Sequence, residues 1–193
     1  ILIAYDESND KTLYELAQQN RKHGEKMHII IGKPISPNAL RTENISNARN
    51  SLLNYMREEQ KTKNNDFEYF IMMDSDDVCA GKIHMDVLSK YLQDEFISKW
   101  DALSFNRHDY YDIWALSASP YVYSCWHWIR PQEVVETMRY FIIHELKKLG
   151  ENDLYSCYSA FNGFAIYKTK IFLQSSYDGT IFKSSKYITH SMI

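Results

Sequence analysis

The sequence predicts an α/β fold, a mainly parallel central sheet flanked by helices, in one domain whose second half is mixed. Three short apolar runs predict it: ILIAY at 1–5, MHIIIG at 27–32 and FEYFIMM at 67–73, alternating with two helical stretches. Each run is nearly continuous in apolar residues, the pattern of strands covered on both faces. No repeat, linker or low-complexity tract divides the 193 residues, a length that suits a single domain.

The elements follow in order. The first run stops at the polar cluster DESND. Asp10 is placed to cap the stretch KTLYELAQQNRKHG, where Leu13, Leu16 and Ala17 recur at helical spacing before Gly24 ends it. After the second run, Pro34 and Pro37 mark a loop, and a long helix is expected from Thr42 to Lys61. The third run ends on Asp74-Ser75-Asp76-Asp77. Residues 84–94 read as a short helix and 102–105 as a strand, while 107–128 are aromatic and irregular. Pro131 opens a helix that reaches about Lys148, with Gly150 behind it. NGFAIY at 162–167 reads as a late strand, and the last twenty residues are polar and unassigned.

Composition narrows the function. With 45% hydrophobic residues and a net charge of −3, the chain is not built to neutralise nucleic-acid phosphates, and no nucleic-acid partner is expected. An aromatic content of 15% suits both a core and surfaces that stack on sugars. Cys79, Cys125 and Cys157 have no metal-ligand spacing and are expected as free, buried thiols. No apolar run reaches the ~20 residues of a membrane span. The chain opens on Ile1 inside an apolar run without an initiator Met, which leaves an upstream anchor open.

The strongest local signal is FIMMDSDDV at 70–78. Carboxylates crowded behind an apolar strand repel one another unless a cation or a set of donors neutralises them. Mg²⁺ or Mn²⁺, with diphosphate oxygens completing the shell, is the natural partner; a solvated acidic loop is the plainer alternative. A second oddity lies on the long helix, where Ile45, Ala48, Leu52, Leu53 and Met56 form an apolar arc that includes Arg49. A guanidinium there either snorkels to solvent or meets an anionic partner, and beside the D-x-D the second reading is preferred.

These pieces resemble the GT-A (Rossmann-like) nucleotide-sugar glycosyltransferases, in particular small metal-dependent enzymes of large DNA viruses and the fungal capsule-associated mannosyltransferase type. The resemblance rests on YDESNDKT, ISNARNSLL, MMDSDDV, WDALSFNRHDYYDIWAL and SAFNGFAIYK, in family order over nearly the whole chain. It implies a nucleotide-binding half at about 1–80 and a sugar and acceptor half at about 81–193. Tyr5, Asp6 and Glu7 would hold base and ribose, Arg49 the diphosphate, and Asp74, Ser75 and Asp76 ribose and metal. Asp101, Asn106, Asp112, Trp114, Asn162 and Gly163 would line the sugar and acceptor side, Asp101 and Asp112 as the catalytic candidates. A late His often completes such metal sites, and here it would be His190.

The expected reaction is transfer of a sugar from a nucleoside diphosphate donor, UDP favoured, to a glycan or glycoprotein hydroxyl. It would need Mn²⁺ or Mg²⁺, lean towards retention, and take place in the host-cell cytoplasm. Two alternatives remain. Asp74, Asp76 and Val78 match in letters the D-x-D-x-[TV] motif of haloacid-dehalogenase phosphatases, although two β-α units precede them. A non-catalytic carbohydrate-binding module would use the aromatic residues alone.

Overall fold

A computed structural model describes residues 1–6, 8–32, 35–63, 66–76, 79–107 and 110–182. The chain is mixed α/β and divides into two compact units, Ile1–Phe67 with Lys170–Thr180, and Glu68–Thr169 with Ile181 and Phe182.

In the first unit, β1 (Leu2–Asp6) and β2 (His28–Gly32) pair in parallel, from Leu2 opposite His28 to Asp6 opposite Gly32. Between them runs α1 (Thr12–His23). Asp10 was expected to cap it, but the N-cap is Lys11 without a side-chain cap bond; Asp10, one residue earlier, accepts on Oδ1 the Thr12 N–H at 2.8 Å and the Ser8 hydroxyl at 2.7 Å. These bonds, the one from Ser8 first, hold its carboxyl below the usual range. Gly24 ends the helix at φ 55°, a conformation that favours glycine. The apolar stripe that predicts α1 packs shallowly, for the helix has no buried residue.

The long helix α2 (Arg41–Lys63) buries Leu53 and Met56 and lies against β1 and β2. Residues 173–180 run back along it. Arg57 donates to the Leu173 carbonyl at 3.0 Å and also to that of Ser175. Asn50 donates to the Tyr177 carbonyl at 2.9 Å and accepts the Tyr177 N–H at 2.8 Å. Thr42 donates to the Gly179 carbonyl at 2.8 Å. A Cβ on Gly179 would lie 2.5 Å from Glu43 Cα, so only glycine fits this close approach.

In the second unit β3 (Tyr69–Met73) is followed by two short helices, α3 (Met85–Tyr91) and α4 (Asp94–Ile97). Then come β4 (Ala102–Ser104), α5 (Pro131–Leu146), β5 (Phe164–Lys168) and the final turn α6 (Thr169–Phe172). The sheet order is β3-β5-β4, antiparallel throughout. The third apolar run was expected in a parallel sheet with the first two; among the described residues only β1 and β2 are parallel. The reason lies in the packing. Phe70 stacks on Tyr167 of β5 at 5.2 Å, and along β3 Met72 is buried while Ile71 and Met73 are 43% and 44% exposed. An apolar run does not reveal which of its residues will be covered, nor by which strand.

The main core of this unit sits under α5, whose Val134, Val135, Met138 and Ile142 pack with Ile113, Leu116, Cys125 and Trp128. The aromatic stretch forms two 3₁₀ turns, Ile113–Ala115 and Cys125–His127. All three cysteines are free, but only Cys125 is fully buried. Cys157 is exposed, contrary to expectation, because it lies in the irregular segment between α5 and β5.

Candidate functional site

The register brings the ends of β3 and β4 and the start of β5 to one edge of the antiparallel sheet, Met73 opposite Phe164 and Ser104 opposite Ala165. Asp74, the first residue after β3, donates its N–H to the Gly163 carbonyl at 2.9 Å. The Cys79 thiol donates to the same carbonyl at 2.9 Å. Gly163 is buried at φ 85°, where a side chain would be strained.

Asn162 is 3% exposed and spends its amide on two backbone groups. Its Nδ2 donates to the Phe105 carbonyl at 3.2 Å, and its Oδ1 accepts the Asp112 N–H at 3.0 Å. The two ends of the loop at 105–112 are thereby pinned to one side chain. Within that loop Tyr110 stands at φ 44° with its ring 5% exposed, and its N–H reaches the Arg107 carbonyl at 3.2 Å. A non-glycine residue in this region is held only when its surroundings enforce it, and here burial of the ring does so. Burial also pushes the Tyr110 phenol far above its usual pKa.

The turn presents Tyr111 to the acidic segment. Its hydroxyl lies 3.5 Å from Asp76 Oδ2, and the Arg107 guanidinium sits 6.0 Å from its ring centre. Burial, and then the negative charges of Asp76, Asp74 and Asp112, raise the Tyr111 phenol. The Cys79 thiol is raised by burial and then by Asp74 and Asp76. The local field is negative, relieved in part by Arg107.

Of the residues expected on sequence grounds, this edge gathers Asp74, Ser75, Asp76, Asn106, Asp112, Asn162 and Gly163. Asn162 was expected against a sugar; buried, with both ends of its amide occupied, it positions the loop instead. Trp114 lies in the first 3₁₀ turn, its ring 4.5 Å from Trp126 and half-buried beside the α5 core. Asp101 is not part of the group. It precedes β4 at the opposite edge, its carbonyl bonded to the Lys168 N–H and its carboxylate 3.7 Å from Lys168 Nζ. Five residues of β5 separate that point from Gly163, about 16 Å of strand.

Tyr5, Asp6 and Arg49 belong to the first unit. Tyr5 is 6% exposed and its hydroxyl accepts the Ser8 N–H at 3.0 Å, so it shapes the loop after β1 rather than offering a free ring to a nucleobase. Asp6 is exposed at the carboxyl end of β1, beside Gly32, where a Cβ would lie 2.6 Å from its Oδ1. Arg49 is half-buried with its guanidinium 5.4 Å from the Tyr177 ring centre. Glu7, Asp77, Val78 and His190 lie outside the described residues.

Arg107 and Tyr177 carried no sequence signal of their own. The first sits in a quoted segment without being singled out, and the second in the unassigned tail. Among the described residues no three His, Cys, Asp or Glu side chains gather to enclose a metal ion. Asp74 and Asp76 nevertheless supply oxygen donors of the kind hard divalent cations take, and Mg²⁺ typically binds one or two carboxylates with water and phosphate completing its shell. No helix among the described residues is long and apolar enough to cross a membrane. Compared with protein-family models, curated proteins and solved structures, the chain matches none.

Proposed function

We propose that the protein is a metal-dependent glycosyltransferase that moves a sugar from a nucleoside diphosphate donor, UDP favoured, to a hydroxyl of a glycan or glycoprotein. The supporting observation is the convergence of distant segments, 74–76, 105–107 with 110–112, and 162–163, on one sheet edge with Asp74, Asp76 and Asp112 in a shared field. Asp74 and Asp76 would hold Mn²⁺ or Mg²⁺, which supplies positive charge against the departing diphosphate. Arg107 adds a cation at the same edge, and exposed Asn106 and half-buried Asp112 offer polar groups to sugar hydroxyls. In the reaction the bond from the anomeric carbon to the diphosphate oxygen breaks and one to the acceptor oxygen forms. The acceptor proton leaves with the diphosphate, in keeping with a retaining outcome.

Thermal melting tests the reading. Mn²⁺ and UDP together should raise the melting temperature well beyond either alone, since a ligand at a hundred times its Kd stabilises by about 2.7 kcal/mol. A screen of UDP- and GDP-sugars should then find a metal-dependent donor hydrolysis. No joint shift, with hydrolysis of a phosphomonoester instead, would turn the assignment towards a phosphatase.

A further inference from the structure

We infer that the first unit carries a binding cleft for a small organic ammonium ion with an aromatic body, a site independent of the proposed transfer reaction. The cleft has a volume of about 700 Å³, a size that suits a small molecule. It lies where β1 and β2 begin, at the opposite end of their sheet from Asp6, and every side chain that lines it belongs to the first unit. Its floor is apolar, with Met56 buried and Leu2 half-buried. Three rings border that floor, those of His28, Tyr55 and Phe67. The His28 ring lies against Tyr55 with centres 5.2 Å apart and planes tilted by 40°, and Phe67 is exposed.

The sign of the ligand follows from the charges. α2 supplies one wall through Tyr55, Glu59 and Lys63, spaced by four and so on one helix face. The Glu59 side chain is 20% exposed and holds Lys63 Nζ at 3.0 Å. Glu59 first, then Tyr55 and Glu25, raise the Lys63 ammonium above its usual range. Lys63 first, then Tyr55 and His28, hold the Glu59 carboxyl below its own. Lys63 is therefore an ammonium set among carboxylates and rings, the surroundings that a ligand's ammonium would need. As the last residue of α2, and 57% exposed, it can swing into water and give up that place. Glu25 and Lys26 also line the cleft and cancel in formal charge. Two features then favour a cation over an anion: the last turn of α2 carries the negative end of the helix dipole, and the faces of the rings are negative. The ring of the ligand would lie on Met56 and Leu2, between Tyr55 and Phe67.

The test titrates the isotope-labelled full chain with phenethylammonium and with 3-phenylpropionate, probes with the same ring and opposite charge, and follows the NMR signals of Tyr55, Glu59 and Phe67. Phenethylammonium should shift those signals with a millimolar Kd, and 3-phenylpropionate should bind about tenfold more weakly. Glu59→Gln should weaken the cation about fivefold, and Tyr55→Leu, which removes a ring, should weaken it in the same direction. Lys63→Gln removes the competing ammonium and should tighten binding about threefold, a gain that loss of a merely structural side chain would not give. The melting temperature of each variant checks that its fold is kept. Equal affinity for the two probes, binding of neither, or a Lys63→Gln variant that binds the cation no better than the parent would overturn the inference. None of these outcomes touches the transferase reading, which rests on Asp74 and Asp76 in the second unit.

Discussion

Asp76 is exposed at the end of β3, close to Asp74 and within reach of the Tyr111 hydroxyl. Removing one of several like charges relieves repulsion when no cation is bound. Asp76→Ala should therefore leave the melting temperature of the unliganded protein equal or slightly higher while abolishing the joint stabilisation by Mn²⁺ and UDP. Retention of that stabilisation would remove Asp76 from the metal site. Gly163 makes a different demand. With φ at 85° and its carbonyl accepting from Asp74 and Cys79, Gly163→Ala should cost about 1–3 kcal/mol in urea unfolding, with the slope of the transition unchanged. Burial raises several thiols and phenols, Cys125 and Tyr110 furthest. Burial pushes the Cys125 thiol up to about 12 and the Tyr110 phenol further still. In the unfolded chain these groups lose their protons near their ordinary values, so the unfolded state is favoured as pH rises. Stability should be flat through neutrality and fall from about pH 9 by roughly 1.4 kcal/mol per unit for Cys125, with Tyr110 adding a second slope above about pH 10. Cys125→Ala should lessen the first slope, to which the raised Cys79 and Cys157 thiols also contribute, and keep the second; urea midpoints across pH 7–11 read both.

The elements differ in how firmly they are held, and in how plainly the sequence announces them. α5 buries Val134, Val135, Met138 and Ile142, whereas α1 buries nothing. Amide exchange should be slow through α5 and faster through α1 by at least an order of magnitude, because an element with little buried apolar area opens at low cost. Equal protection would mean that α1 is held by something other than its own packing. Both helices are legible from apolar spacing, as are the five strands among the described residues, because those signals are local. Strand partnership is not. FIMM in β3 reads the same in a parallel or an antiparallel sheet, and its choice of β5 rests on contacts such as Phe70 with Tyr167 that no spacing encodes. The site divides in the same way. Asp74 and Asp76 announce themselves as charges behind an apolar run, yet Asn162 hides its role because a buried amide that pins a loop looks in sequence like a polar residue free for a ligand. Asp101, placed with the sugar on resemblance, is carried to the far edge by a register that the sequence does not print. The segment at 173–180 is silent for a plain reason: α2 grips its backbone, and backbone carbonyls are the same in every sequence.

For the molecule as a whole, the two units are unequal in core. The buried apolar side chains of the first, among the described residues, are Tyr5, Met27, Leu53 and Met56, while the second buries those of both its sheet and its α5 cluster. All four tryptophans, Trp100, Trp114, Trp126 and Trp128, belong to the second. Tryptophan fluorescence therefore reports one unit and far-ultraviolet circular dichroism reports both. Since stability scales with the apolar area removed from water, the dichroism signal should begin to fall at a lower urea concentration than the fluorescence. Coincident curves would mean that the molecule unfolds as one body. The first unit also has a history that its finished form conceals. Its two pieces, Ile1–Phe67 and Lys170–Thr180, are separated in the chain by the bulk of the second unit. On a ribosome adding about 5–20 residues each second, α2 emerges and then waits on the order of ten seconds before its covering segment is synthesised. Throughout that interval Thr42, Asn50 and Arg57 face water or a chaperone instead of the carbonyls they will hold. The part of the protein made first thus stays incomplete until residues 170–180 are made, and a message truncated shortly after residue 169 would yield a chain whose first unit stays open to proteases.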